Sequence, residues 1–256
     1  PIQARGEWID RFKGRFDKGW DAARRTTYDD QRKMGIIPAN ARLTPRPAQI
    51  PAWSSLSPER QRFNARLMEA YAGMLAYSDH QFGRILDELE RSGRLENTLV
   101  IFIEGDNGAA TESLDGAINQ LAMFVQTDTR DDDLRQTALI GGKDSMAVIS
   151  AGWAWALNAP FQWGKQVASH FGGTRNGIVM AWPRRIPQTG EVRTQFHHVI
   201  DIAPTIYEAV GITPDAVVDG VAQQPMDGVS MVYAFDAKDA PSRRRTQYFE
   251  MLGNRA

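Results

Sequence analysis

Residues 98–108, TLVIFIEGDNG, give the clearest indication of the fold class. The first six are a nearly unbroken apolar run rich in β-branched side chains, which is typical of a strand covered on both faces in a mostly parallel sheet. We therefore expect an interior strand over residues 98–104. Glycines and oxygen-bearing side chains follow directly, at the end of the strand where ligands bind in open α/β sheets. The stretch predicts an α/β fold with a ligand site beyond this strand.

Asp106 and Asn107, set between Gly105 and Gly108, are the candidate metal ligands. Carboxylate and amide oxygens are hard ligands that suit Ca²⁺ or Mg²⁺, whereas zinc prefers histidine and cysteine. Asp, Asn and Gly are also the usual residues of plain turns. By residue type alone, a metal-binding turn and a structural turn both remain open.

Composition limits the classes of protein to consider. The 256 residues are 42% hydrophobic, enough for one large core and one domain. A formal net charge of -1 gives no sign of a nucleic-acid or membrane-surface partner, and no apolar run approaches the ~20 residues that span a bilayer. The absence of cysteine excludes disulfides, a thiolate nucleophile and a thiolate zinc site within these residues. Bacterial cytoplasm and periplasm both remain open as the compartment.

Helix and strand signals surround the central stretch. Ser57, Pro58 and Glu59 form a helix start, and apolar residues then recur at spacings of three and four until Gly93. This pattern predicts a long helix over residues 58–92, packed on the sheet. We also expect a second buried strand over residues 178–182 and a helix over residues 196–210, whose predicted buried residues are Ile200, Ile202, Ile206 and Val210.

Lys165 is the only charged residue between positions 145 and 171, a segment that contains Trp153, Trp155, Phe161 and Trp163. A solitary lysine among aromatic residues indicates an ammonium held beside an anion in a partly dry pocket. The alternative is a lysine that extends from an apolar wall into solvent. His170 follows five positions later and is a further candidate, although a lone histidine is more often structural.

Five segments carry a resemblance to a known family. The sequence resembles the sulfatase family of the alkaline-phosphatase-like superfamily, and more closely its large bacterial arylsulfatases. The segments, in the family's order, are GWD at 19–21, SDHQFGRILDELERSGRLENTLVIFIEGDNG at 78–108, KQVASHFGGTRN at 165–176, VIDIAPTIYEAVGI at 199–212 and MDGVSM at 226–231. The resemblance covers nearly the whole chain.

This resemblance implies an alkaline-phosphatase-like α/β sandwich with a mostly parallel central sheet flanked by helices. It implies hydrolysis of small-molecule sulfate esters at a Ca²⁺ site, with Ca²⁺ preferred over Mg²⁺. Asp106 and Asn107 would supply two metal ligands. Lys165 would hold a sulfate oxygen, and His170 would contact the sulfate or the leaving group. Both are therefore candidate catalytic and substrate-binding residues.

The resemblance also marks what the sequence lacks. The family's nucleophile is a formylglycine made in a Cys/Ser-x-Pro-Ser-Arg motif, and no such motif occurs here; DAPSR at 239–243 has an aspartate that cannot be converted. We therefore expect an internal piece of a sulfatase, with the formylglycine and early aspartate ligands upstream. Residues 1–235 would belong to the catalytic domain, and residues 236–256 would begin its small C-terminal sheet. The piece alone should be inactive.

The sequence is also compatible with two other functions. One is a phosphoester or phosphonate hydrolase of the same superfamily, although Asn107 stands where zinc-dependent phosphatases often carry histidine. The other is a non-catalytic relic or binding domain, which the missing nucleophile would permit.

Overall fold

A computed structural model describes residues 2–105, 107–110, 113–125, 127–186 and 188–256. The chain divides into two compact units. Unit 1 comprises residues 1–92, 102–178 and 249–256, and unit 2 comprises residues 93–101 and 179–248.

The described helices range from four residues to the 34 residues of the longest. In chain order they are α1 Gly6–Asp10, α2 Gly19–Lys33, α3 Pro58–Arg91, α4 Gln120–Phe124, α5 Arg130–Arg135, α6 Ala151–Leu157, α7 Phe171–Thr174, α8 Ile202–Val210 and α9 Tyr233–Asp236. The strands are β1 Val100–Glu104, β2 Gly177–Ala181, β3 Val217–Val218, β4 Val221–Ala222, β5 Glu250–Met251 and β6 Asn254–Arg255. Within the described ranges, no helix combines the length and apolar composition needed to cross a membrane.

Three tryptophans form the centre of unit 1. Trp20 of α2 and Trp153 of α6 are each 1% exposed, and both contact Trp53. The ring centroids lie 4.8 to 5.9 Å apart in edge-to-face contacts, a favourable geometry for aromatic pairs. Gly152 permits the close approach of α6 to α2, because a Cβ there would lie 2.4 Å from the Trp20 ring. This aromatic core fixes the helix that precedes the candidate site.

The long helix α3 confirms the prediction from its start signals. The Ser57 hydroxyl accepts a hydrogen bond from the backbone N–H of Arg60, Pro58 occupies the first turn, and Gly93 follows the helix end with a φ of 69°. Its buried apolar residues all precede Gly73, which packs against Ile9 of α1. The later turns are more exposed, but Phe82 contacts Phe102 of β1 at a centroid distance of 5.0 Å.

The strands differ from the sequence prediction in their burial. β1 and β2 pair with each other in a two-stranded sheet, and the other sheets within the described ranges also have two strands. Residues 100–102 of β1 are half-buried and Ile103 is exposed. In β2, every residue except Met180 is exposed, so the expectation of a buried strand at 178–182 is wrong. Among the described residues, each strand pairs with one neighbour, and the mostly parallel central sheet stays a prediction.

Unit 2 is organised around a polar rather than an apolar helix face. A 3₁₀ turn at Val199–Asp201 leads into α8, and Gly211 ends the helix with a φ of 70°. The predicted helix over 196–210 thus begins three residues later than expected. Its expected apolar core face is also wrong: Ile200, Ile206 and Val210 are exposed and Ile202 is half-buried.

The buried positions at the start of α8 are Asp201 and Thr205, both fully buried. The Thr205 hydroxyl donates to the carbonyl oxygen of Asp201 at 2.6 Å and accepts from the backbone N–H of Met231 at 2.8 Å. Asp201 accepts hydrogen bonds from Arg244 and from the backbone N–H of Val229. Unit 2 therefore buries a hydrogen-bonded ion pair where periodicity predicted aliphatic packing.

Candidate functional site

Of the two candidate metal ligands that follow β1 in the sequence, the structure describes one. Asp106 lies outside the described residues, and Asn107 is half-buried. Gly105 and Gly108 on either side have φ values of 77° and 76°, in the left-handed region that glycine adopts without strain. The glycines predicted to shape this turn therefore do so.

Two asparagine side chains fix the backbone of this turn. The Oδ1 of Asn176 accepts a hydrogen bond from the backbone N–H of Gly108 at 3.1 Å. The Oδ1 of Asn158 accepts from the backbone N–H of Ala109 at 3.0 Å, and its Nδ2 donates to the carbonyl oxygen of Trp163 at 3.0 Å. Asn158 thus connects the turn to the segment that carries Lys165. Sequence reasoning missed this residue, since an asparagine just after a short helix is an ordinary helix end.

The same turn packs directly on the segment of Lys165 and His170. The backbone N–H of Lys165 donates to the carbonyl oxygen of Ala109 at 3.1 Å. A Cβ on Gly108 would lie 1.8 Å from the carbonyl oxygen of Gly172, so only glycine allows this crossing. The structure therefore brings the backbone of Lys165 against Ala109, two residues after Asn107, although the two segments are far apart in the sequence.

Lys165 is half-buried and is flanked by two residues in an unusual backbone conformation. Trp163 has a φ of 61° and Gln166 a φ of 73°, values that are costly for side chains with a Cβ. Such strain persists where surrounding contacts hold it and is often found at functional sites. Fewer aromatic residues are available to Lys165 than the sequence suggested. Trp153 and Trp155 belong to the buried core, while Trp163 is 43% exposed.

His170 is half-buried at the start of α7 and lies beside Trp163. Its Nδ1 lies 2.9 Å from the hydroxyl oxygen of Ser169, and its ring centroid is 6.1 Å from that of Trp163 in an edge contact. The ring therefore contacts both a hydroxyl group and an indole. Trp163 connects His170 to the same strained segment that carries Lys165.

The candidate ligands of the turn are of the chemical kind that calcium binds, but they are too few to complete a calcium site. Asn107 offers an amide oxygen and the neighbouring Asp106 a carboxylate, both suited to Ca²⁺. Calcium takes six to eight oxygen ligands. Across the parts of the chain that the structure describes, no group of three or more His, Cys, Asp or Glu side chains is placed to hold a metal ion.

Comparison with known proteins identifies the relatives of this chain. Residues 1–212 match the family model described as Sulfatase. The chain is 31% identical over 253 residues to a protein described as Arylsulfatase from Klebsiella aerogenes, a match that covers 99% of this chain and 52% of that protein. It is 33% identical over 211 residues to an uncharacterized sulfatase of Schizosaccharomyces pombe, covering 81% of this chain and 36% of the relative. The chain therefore spans about half the length of the first relative and less of the second.

Proposed function

Because this chain belongs to the sulfatase family, we propose that it supplies the metal-binding and sulfate-binding side of an arylsulfatase-type active site. The observation that carries the proposal is the 3.1 Å hydrogen bond from the Lys165 N–H to the Ala109 carbonyl oxygen. This bond joins the backbone of the Lys165 segment to Ala109, two residues after Asn107, and so supports a site that uses both segments. A sulfate ester carries negative charge on its non-bridging oxygens, so a site for it needs positive charge close to the sulfur.

In this proposal Lys165 holds a sulfate oxygen and stabilises the charge that develops in the transition state. A preorganised ammonium does this without reorganisation of water during the reaction. The segment that carries it is fixed by the Asn158 contacts to Trp163 and Ala109, so its position is set before substrate binds.

His170 is assigned to the leaving-group side. Its Nδ1 is engaged by the Ser169 hydroxyl, and we therefore assign Nε2 to the substrate. From Nε2 a histidine can donate a hydrogen bond to the ester oxygen as the sulfur–oxygen bond breaks. The partial burial of the ring beside Trp163 would keep water from competing for that oxygen.

Asp106 and Asn107 are assigned as two ligands of Ca²⁺, which when bound would add positive charge beside the sulfate. We assign the remaining oxygen ligands, and the formylglycine nucleophile, to parts of the sulfatase domain outside these 256 residues. This fits a chain that spans 52% of its arylsulfatase relative and contains no Cys/Ser-x-Pro-Ser-Arg motif.

The test is hydrolysis of 4-nitrophenyl sulfate by a protein that joins this chain to a segment carrying the Cys/Ser-x-Pro-Ser-Arg motif. We expect release of 4-nitrophenol that requires calcium and that a chelator abolishes. Activity toward 4-nitrophenyl phosphate in preference to the sulfate, or sulfate hydrolysis unaffected by the chelator, would contradict the proposal.

A further inference from the structure

The side chain of Asn158 stands between two segments of unit 1 as a peptide group would. Its Oδ1 accepts a hydrogen bond from the backbone N–H of Ala109 at 3.0 Å, and its Nδ2 donates to the carbonyl oxygen of Trp163 at 3.0 Å. The carbonyl oxygen of Ala109 in turn accepts from the backbone N–H of Lys165 at 3.1 Å. The Asn158 amide therefore binds both the turn after β1 and the segment that carries Lys165, as a middle strand binds its two neighbours.

Asn158 is anchored to the aromatic core of unit 1. It directly follows α6, and its backbone N–H donates to the carbonyl oxygen of Ala154 at 3.2 Å. Ala154 is fully buried, and Trp153 beside it is 1% exposed. Because protein interiors are close-packed and resist deformation, the backbone of Asn158 has a fixed position. Its amide extends from that position to the two segments.

The segment that Asn158 binds is strained and needs contacts to hold it. Trp163 has a φ of 61° and Gln166 a φ of 73°, and Lys165 lies between them. Such conformations are costly for residues with a Cβ and persist only where the surrounding structure holds them. The bond from the Asn158 amide to the Trp163 carbonyl oxygen is one such contact. Its loss should let the backbone of Lys165 move relative to Ala109.

The position of Asn158 at a helix end does not by itself explain why this residue is an asparagine. Its φ is -83°, a value that any residue adopts, so the backbone needs neither glycine nor asparagine here. The two hydrogen bonds do need an amide, because one partner is a donor and the other an acceptor. Aspartate would keep the acceptor for Ala109, but it would set a carboxylate against the carbonyl oxygen of Trp163.

We propose that Asn158 is a positioning residue, whose amide holds the Lys165 segment against the turn that carries Asn107. It sets the backbone position from which the Lys165 side chain extends. The inference rests on the proposed function for the role of Lys165 in holding sulfate. Asn158 then affects catalysis only through Lys165, since a displacement of about 1 Å in a charged group can cost on the order of 10²-fold in rate.

Amide hydrogen exchange in the 256-residue chain, followed by NMR, tests the positioning directly. Asn158→Ala should speed exchange of the Lys165 N–H by on the order of tenfold, because the Ala109 carbonyl oxygen that accepts it is no longer held. Asn158→Asp should act in the same direction, since it loses the bond to Trp163. Unchanged exchange at Lys165 in both folded variants would overturn the inference.

Asn119→Ala is the matched control for the exchange measurement. The Oδ1 of Asn119 also accepts a backbone N–H at 3.0 Å, but from Leu121 in its own segment. Its removal should leave exchange at Lys165 unchanged. Slow exchange at Leu67, which is fully buried in α3, shows that a variant is folded. If neither Asn158 variant folds while Asn119→Ala does, Asn158 is a structural residue and the inference is overturned.

A double-mutant cycle tests the catalytic consequence in a protein that joins this chain to the nucleophile motif. Asn158→Ala should lower kcat/KM for 4-nitrophenyl sulfate by about tenfold or more. In a Lys165→Ala background the same change should cost little, because Asn158 then has no ammonium left to position. A loss by the same factor in both backgrounds would overturn the inference, since a merely structural residue would behave in that way.

The two experiments separate this inference from the proposed function. Near-normal kcat/KM in Lys165→Ala alone would count against the sulfate role of Lys165. Exchange at the Lys165 N–H would still decide whether Asn158 holds the segment: faster exchange in a folded Asn158→Ala or Asn158→Asp variant supports the positioning, and an unchanged rate overturns it.

Discussion

Lys165 donates its backbone N–H to the carbonyl oxygen of Ala109, at a distance of 3.1 Å. This bond joins the turn after β1 to the segment before α7, and the contact between Gly108 and Gly172 closes the same crossing. The backbone positions of Asn107 and Lys165 are therefore set by one packed junction. A substitution that opens the junction should affect both groups together.

The glycine crossing gives a stability prediction. Gly108→Ala would place a Cβ 1.8 Å from the Gly172 carbonyl oxygen, at a φ of 76°. We expect it to lower the free energy of unfolding by at least about 2 kcal/mol, since the left-handed conformation alone costs about 1–2 kcal/mol. Gly83→Ala is the matched control: it lies inside α3, where a Cβ would meet nothing within 4 Å. It should stabilise by about 0.5–1 kcal/mol. Urea unfolding measures both, and a neutral Gly108→Ala would show that the crossing is loose.

The metal ligands make a second prediction, for a protein that contains the complete site. Asp106→Ala should weaken calcium binding more than Asn107→Ala, because it removes a full negative charge rather than a neutral dipole from the cation. Asp131→Ala, which removes an exposed carboxylate of α5, should leave calcium affinity unchanged. Calorimetric titration with calcium checks the order. Equal affinity in wild type and Asp106→Ala would remove the metal from this turn.

The buried pair of unit 2 predicts how stability depends on pH. Burial alone would raise the pKa of Asp201, but hydrogen bonds from Arg244 and from the backbone N–H groups of Val229 and His198 outweigh it and hold the pKa below its usual value. A lowered carboxylate pKa contributes stability that is present above the unfolded-state pKa of about 3.9 and is lost as the pH falls through the folded-state value. Unfolding of the wild type should therefore become markedly easier below about pH 4.

Asp201→Asn tests the same pair at neutral pH. It leaves Arg244 buried without its charge partner, and breaking such a pair costs about 3–5 kcal/mol. The variant should also lose much of the acid sensitivity that the wild type shows below about pH 4. Asp236→Asn is the control, because the Asp236–Arg185 pair is exposed and such pairs contribute little. If the two variants unfold alike at pH 7, the Asp201–Arg244 pair is not a main support of unit 2.

Local signals in the sequence predicted local structure well. The cap at Ser57, the proline at position 58 and Gly93 determine both ends of α3 because each acts on its neighbouring backbone groups. The turn of Gly105 and Gly108 was predictable for the same reason. Packing partners were not: Trp153 is close to Lys165 in sequence, but it packs against Trp20 in the core. The element against which a side chain packs depends on residues that are distant in the sequence.

Burial was predicted least well from the sequence. An apolar run indicates that a strand is suited to being covered, and β2 has such a run but is exposed at four of its five residues. In α8 the period predicted an aliphatic face, whereas the buried residues are Asp201 and Thr205. Their hydrogen-bond donors are the backbone N–H groups of Val229 and Met231 and the side chain of Arg244, all well downstream in the sequence. No local pattern encodes those partners.

The purified 256-residue chain should not turn over aryl sulfates. It contains no cysteine and no Ser-x-Pro-Ser-Arg sequence, so none of its residues lies in the motif that yields the aldehyde nucleophile of the family. We expect no release of 4-nitrophenol from 4-nitrophenyl sulfate above the uncatalysed rate, with or without calcium. Metal-dependent turnover by this chain alone would mean that the nucleophile lies within it.

Lys165→Ala, made in a protein that carries this chain together with the nucleophile motif, tests the role of Lys165 most directly. With folding intact by thermal unfolding, kcat/KM for 4-nitrophenyl sulfate should fall by roughly 10²-fold or more, the order seen when one preorganised electrostatic donor is removed. Lys165→Arg should not restore the wild-type kcat/KM, because the planar guanidinium of arginine does not replace a compact ammonium group. Lys143→Ala, which removes an exposed lysine paired with Asp144, should leave kcat/KM unchanged. Near-normal turnover by a folded Lys165→Ala variant would show that Lys165 does not hold the sulfate and is a packing residue.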